Sequence, residues 1–214
     1  GTFDGNGYTI SGLYAVDAGL FRYIGENGVV KDLTVSGEVT GNSGSGIGGI
    51  ANENHGKITG CTNKCDVNNI GSGHTGGVVG TNHGTVTDCT NTGSITTGSD
   101  TNSIGGGIAG ISNGGRISKC YNEGSVSSVY YTGGIAGRIY NGCSVESCYN
   151  TGAVTGKSIH SPCAGGIVGL GGGVVSNCYN SGKVTGTGGS FVSTGGVVGC
   201  SQVAVENCYN AGEV

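Results

Sequence analysis

The chain has no tryptophan and no methionine, a single proline and three phenylalanines, and only 10% of its 214 residues are charged. A composition this poor in helix formers, with 50 glycines among the 214 residues, argues against a helical protein. The net charge of −4 provides no basic stripe of the kind that follows phosphates, so neither nucleic acid nor an anionic membrane surface is an expected partner. No apolar run approaches the length of a membrane span, so membrane insertion is not expected. No HExxH, no CxxC pair and no phosphate-binding loop occurs. Carboxylates do not pair at a spacing suited to acid/base hydrolysis: Glu146 and Glu206 share a repeat position, but the intervening unit carries Ser176. Asp4-Gly5-Asn6-Gly7 has calcium-loop character for four residues only and reads as a turn. No catalytic residue and no cofactor is therefore expected.

What the chain does have is a period. Gly-Gly-aliphatic steps begin at Gly48, Gly76, Gly106, Gly133, Gly165 and Gly195, at intervals of 28, 30, 27, 32 and 30 residues. Each step is followed by an aliphatic residue three positions ahead of a cysteine, and then by Tyr or Thr and by Asn: Ile58 with Cys61, Val86 with Cys89, Ile117 with Cys120, Val145 with Cys148, Val175 with Cys178, Val205 with Cys208. Glycine-rich chains without a collagen triplet are usually of low complexity, but valine and isoleucine here recur at fixed phase, which disorder would not maintain.

Short apolar bursts separated by Gly, Asn and Ser turn signals leave no room for crossover helices. A single coil of this length cannot bury its inward side chains. Coils stacked about 4.8 Å apart share one continuous core and pair every strand with a neighbour. The expected fold is all-β: one parallel β-helix over residues 1–214, of about 7–8 coils of 27–32 residues with three short strands each, and right-handed by preference. Coil landmarks fall near residues 10, 30, 58, 86, 117, 145, 175 and 205, the first of them pairing Ile10 with Leu13.

Alternation assigns the faces. Counting by two from Cys178 puts Asn180, Gly182 and Val184 inward and Tyr179, Ser181 and Lys183 outward. Val175, three residues from Cys178, reaches the same interior only through a bend at Ser176 and Asn177. Cys61, Cys89, Cys120, Cys148, Cys178 and Cys208 thus form an interior ladder. Leu33 takes the same position one coil earlier, which marks it as a packing site. Residues in register on adjacent strands lie farther apart than a disulfide prefers, so these thiols are expected to stay free. Cys61 and Cys65 could bridge across one corner, while Cys143, Cys163 and Cys200 lie near corners of different coils. Asn63, Asn91, Asn122, Asn150, Asn180 and Asn210 fill one corner of six successive coils, where stacked amides can donate and accept along the ladder.

Two outward features could carry function. Tyr121, Tyr149, Tyr179 and Tyr209 should stack into an aromatic row, continued upstream by Thr90, Thr62 and Thr34, and such a row can bind sugars or simply stabilise itself. His55 and His83 should stack at one corner with Glu53 nearby, a weak metal candidate because a site needs three or four converging ligands. A single Thr/Ser rank, of Thr40, Thr96, Ser127, Thr155 and Thr185, falls short of the two ranks an ice-binding face needs. Loops ahead of the Gly-Gly steps, such as "SSVYY" and "TGKSIHSPC", vary most and are where recognition would be built.

At "GGIVG", followed by "NCYNSGKV", the sequence resembles the GLUG-motif repeats of bacterial surface proteins, and "GTFDGNGYTISGLY" resembles the segment that leads into them. The resemblance implies a non-enzymatic repeat scaffold, extracellular or on the cell surface, within adhesin-like proteins or beside the catalytic domain of IgA-cleaving zinc metallopeptidases. It offers no catalytic residue to carry over. It also implies a piece of a longer protein, with flanking domains and a host or cell-surface ligand such as a glycan as partners. A carbohydrate-active β-helix is the alternative reading. A fibre subunit that associates end to end is the second.

Overall fold

The computed structural model describes residues 1–42, 44–98, 102–157, 162–189 and 192–214, together with the backbone but not the side chain of Ser201. Among them there is no helix; parallel strands stack coil upon coil into a β-solenoid of about seven turns. One coil shows the pattern: Cys163–Gly165, Val168–Gly171, Val174–Ser176, Tyr179–Asn180 and Val184–Thr187. This coil and the three before it each have five short strands, not the expected three, while in the earlier coils Thr34–Gly41 and Thr62–Asn69 run unbroken. The Gly166-Ile167 step and the residue ahead of each ladder cysteine interrupt what the sequence reads as continuous bursts.

The strands fall into four sheets. Sheet I holds eight strands of the Val174–Ser176 type, and sheet II twelve, including the Tyr179–Asn180 and Val184–Thr187 types. Sheet III holds six strands of the Cys163–Gly165 type, and sheet IV seven of the Val168–Gly171 type. In sheet I the aliphatic landmarks run in register, Val30, Ile58, Val86, Ile117, Val145, Val175 and Val205. All are buried except Val205 in the last rung.

The bend between landmark and cysteine is confined to one residue. Asp32, Gly60, Asp88, Lys119, Ser147, Asn177 and Asn207, each immediately ahead of the ladder position, adopt φ between 50° and 63°. Ser176, expected to share the bend, stays in its strand. A single left-handed residue resets the alternation of faces, so Val175 and Cys178 both point inward although three positions apart. Asp, Asn and Gly tolerate this conformation, which is why they hold five of the seven positions.

The first coil departs from expectation. Phe3, not Ile10, pairs with Val30, because the Asp4–Gly7 turn, with Asn6 at φ 49° and Gly7 at φ 76°, supplies the bend there. Ile10 pairs instead with Val35 in sheet II, and a register shift before Leu13 produces its three-residue spacing.

The interior is a set of ladders. Cys61, Cys89, Cys120, Cys148 and Cys178 are buried and free, Cys208 is half-buried and free, and each thiol donates to the carbonyl two residues earlier at 3.2–3.4 Å. Hydrogen bonding to the neighbouring thiol and burial raise the pKa of Cys61 and Cys178, and burial raises that of Cys120, so these groups stay protonated. Beside them the asparagine ladder is continuous: from Asn63 to Asn210, each amide donates to the next amide oxygen at 2.7–2.8 Å. The second amide hydrogen goes to the carbonyl two residues ahead at 2.8–2.9 Å. The second glycine of each Gly-Gly step closes against this ladder. A Cβ on Gly166 would lie 2.1 Å from the Gly196 carbonyl oxygen and 2.4 Å from Asn180 Cγ, so glycine there is a requirement of space. The two landmarks of the repeat are thus two sides of one contact.

Candidate functional site

Three outward clusters stand apart from the interior ladders. The tyrosine row is where the sequence places it: Thr34, Thr62, Thr90, Tyr121, Tyr149, Tyr179 and Tyr209 are in register on sheet II. Backbone N–H groups of Tyr149 and Tyr179 donate to Cys120 and Cys148 oxygens at 2.9 and 3.0 Å, which fixes the rings above the cysteine ladder. Tyr149 and Tyr179 stack at 4.7 Å and 16°, Tyr179 and Tyr209 at 5.4 Å and 10°, while Tyr121 meets Tyr149 edge-on at 6.2 Å. Tyr121 is 46% exposed and Tyr209 63%. Four rings in this order form a platform whose faces stack and whose hydroxyls can take part in hydrogen bonds.

A second cluster was not visible in the sequence. Arg138, on strand Ala136–Ile139 of sheet IV, sets its guanidinium 4.2 Å from the Tyr140 ring centre and 5.8 Å from that of Tyr131. Tyr131 packs on Tyr130 at 4.0 Å, and burial, followed by that neighbouring hydroxyl, raises its pKa to about 12. The nearby groove, of about 700 Å³, is lined by Arg138, Tyr140, Asn113, Asn141, Leu170 and Gln202, among others. The "SSVYY" loop marked this region as variable, but its partner Arg138 lies across a Gly-Gly step whose folding no local pattern reports.

The third cluster joins Glu53, His55 and His83. Glu53 lies on strand Ala51–Asn54, and each histidine follows a buried asparagine, in the repeated tripeptides Asn54-His55-Gly56 and Asn82-His83-Gly84. Those asparagines form a second, shorter ladder: Asn54 Nδ2 donates to Asn82 Oδ1 at 2.9 Å, and Asn82 Nδ2 donates to Ser112 Oγ at 3.3 Å. The imidazoles stack at 4.4 Å and 22°, as expected, and Glu53 Oε1 lies 2.6 Å from His55 Nε2 and 3.7 Å from His83 Nε2. The repeated Asn-His-Gly tripeptide was the signal for this ladder.

Of the remaining cysteines, Cys61 and Cys65 do not bridge, whereas Cys163 and Cys200 form a disulfide with Cα atoms 5.5 Å apart. It joins sheet III to sheet IV of the following coil. No periodicity shared by the two positions announced it. Cys65 is buried, and burial, with Asp66 beside it, raises its thiol to about 11.

The resemblance to the GLUG-motif repeats holds: the GLUG motif matches residues 71–96, 128–155 and 160–185. Among curated proteins no relative matches the chain. Among solved structures the chain is similar to a Bacteroides ovatus protein described as a "putative immunoglobulin A1 protease", with a TM-score of 0.62 and 24% identity over 97% of this chain. That similarity is one of fold, and the chain spans 59% of the length of that structure.

Proposed function

We propose that this chain of GLUG-motif repeats is a non-enzymatic scaffold of a secreted or cell-surface bacterial protein, which displays an adhesive surface or spaces the regions beside it. The observation that carries the reading is that the repeated residues act on one another. Cysteine stacks on cysteine, asparagine bonds to asparagine, and glycine closes on asparagine, from coil to coil. A repeat whose recurring chemistry is consumed between coils builds length and stiffness. The similarity to a longer Bacteroides ovatus protein fits a module within a larger chain.

The tyrosine row favours a further reading, in which the module itself binds carbohydrate. Ring edges and hydroxyls repeating at 4.7 and 5.4 Å along the row can contact and hydrogen-bond successive sugar rings. A glycan and extracellular-matrix array probed with the full chain, beside a Tyr→Ser variant at 121, 149, 179 and 209 of unchanged circular dichroism, separates the two. Binding by wild type and not by the variant assigns the ligand to the row. Absence of binding by both leaves the scaffold as the function. Hydrolysis of any arrayed glycan would overturn the non-enzymatic reading.

A further inference from the structure

The Glu53, His55 and His83 cluster brings three potential ligand atoms together at one corner of the solenoid. His83 Nδ1 lies 2.8 Å from the carbonyl oxygen of Asn113. A carbonyl can only accept, so Nδ1 carries the proton and donates it. In the neutral ring this leaves Nε2 with its lone pair, and Nε2 faces Glu53 Oε1 at 3.7 Å. In that tautomer each of the two facing atoms offers a lone pair. On the other side of the same oxygen, His55 Nε2 lies within hydrogen-bond distance, at 2.6 Å. A cation placed among the three atoms would be coordinated by all three, in place of the His55–Glu53 hydrogen bond.

The geometry fits such an ion. The three candidate ligand atoms all lie within 4.8 Å of one another. Tetrahedral coordination with bonds of about 2.1 Å puts ligand atoms roughly 3.4 Å apart, between the 2.6 and 3.7 Å measured to the glutamate oxygen. The ligands are also held in place. Asn54 and Asn82, directly ahead of the histidines, are fully buried and tied by the short amide ladder, and the Asn113 carbonyl orients the His83 ring as outer-shell partners of metal-binding histidines do. The side chains of Glu53 and the two histidines retain 43% and 28% of their exposure, enough for an ion to enter from solvent.

We propose that Glu53, His55 and His83 form a three-ligand site for a divalent transition-metal ion, with the fourth position open to water or to a ligand from a partner. Two imidazoles and one carboxylate select borderline ions such as Zn²⁺, Cu²⁺ or Co²⁺ over Ca²⁺ and Mg²⁺, which prefer all-oxygen sites. A groove of about 460 Å³, lined by Asp17, Arg22, Asn52, Glu53 and Thr81 among others, opens beside the glutamate. The site depends on neither the tyrosine row nor the scaffold reading.

The test is a titration of the full chain with Zn²⁺ by calorimetry and with Co²⁺ by visible absorption. One equivalent is expected, with ligand-field bands but without the thiolate charge-transfer absorption that a cysteine site would give. His83→Ala, His55→Ala and Glu53→Gln should each weaken binding by about 100-fold or more, since losing a ligand exceeds the 10–100-fold effect of losing an outer-shell partner. Cys65→Ala should leave it unchanged. Zn²⁺ should raise the thermal midpoint of wild type but not of the three ligand variants. Ring-nitrogen chemical shifts of wild type, followed by NMR during the titration, test the same site without any substitution: the Nε2 resonances of His55 and His83 should move together. Absence of binding, thiolate absorption, equal affinity in the variants, or imidazole resonances unmoved by Zn²⁺ would each overturn the proposal.

Discussion

Sheets I and II differ from sheet IV in how they use the same coil. On sheets I and II the position after each left-handed residue is Leu33 and then cysteine in six coils, and the position two further on is asparagine in those six. On sheet IV one register position is occupied in turn by Tyr23, Glu53, Thr81, Ile111, Arg138, Leu170 and Cys200. Both walls pair in parallel, so backbone regularity cannot explain why the first positions repeat and the last does not. The difference is what the side chains must satisfy. A buried amide has donors and an acceptor that an identical amide one rung away matches in full, which favours repetition. A side chain facing solvent or a groove answers to no neighbouring rung, and each coil there is free to carry its own chemistry. The Arg138 groove and the glutamate of the histidine cluster both lie on the free wall.

The sharpest way to break this contrast is to remove one amide from the repetitive wall. Asn150→Ala deletes the bonds to Asn180 Oδ1 at 2.7 Å and Gly152 O at 2.9 Å, and leaves the Asn122 amide without its acceptor. A loss of about 2–4 kcal/mol is expected in denaturant unfolding, since buried partners are stranded on both sides. Leu170→Ser on the free wall, half-exposed at the groove, should cost less than about 1 kcal/mol in the same assay. Equal losses would show that both walls are constrained alike.

Alkaline pH probes the repetitive wall and sheet III through one retained proton each. Cys65, on sheet II, is raised from 9.0 to about 11, and half-buried Tyr131, on sheet III, from 10.0 to about 12. In the unfolded chain both ionise near their ordinary values, while the folded chain keeps its protons. The unfolded state thus binds fewer protons above pH 9, and stability, fully present below that pH, is lost as pH rises towards 11 for the thiol and 12 for the phenol. The thermal midpoint should fall steadily over this interval. Cys65→Ala should flatten the early part of the fall, and Tyr131→Phe the later part.

The smallest effect tests the bend that joins sheets I and II. Lys119 holds φ 52° with an exposed side chain, in a position filled elsewhere by Asp, Gly, Asn or Ser. Lys119→Asn should stabilise by about 0.5–1 kcal/mol, because asparagine tolerates the left-handed region better. A loss on this substitution would mean that the lysine side chain contributes more than the backbone conformation costs.

Much of the repetitive wall was legible beforehand. The landmarks from Val30 to Val205, the free cysteine ladder, the asparagine ladder and the tyrosine row all follow from period and alternation, which are local in sequence. Errors arose where one residue changes the count. The left-handed position and the Gly-Gly-aliphatic step together cut three expected strands into five in four coils, and Gly7 with Asn6 moved the first landmark from Ile10 to Phe3. The histidine pair was legible as a stack with Glu53 nearby, but only the structure placed the Glu53 carboxylate 2.6 and 3.7 Å from the two Nε2 atoms.

The sequence by itself determined the solenoid, its period, and which residues stack on their own kind, because a repeat writes each rung-to-rung contact into a fixed interval. Only the tertiary structure decided the Cys163–Cys200 disulfide, the stacking of Arg138 on Tyr140 and the meeting of Glu53 with two histidines. Those contacts cross between sheets or join different positions of the coil. Their distances depend on how sharply each corner turns, which no interval in the chain records.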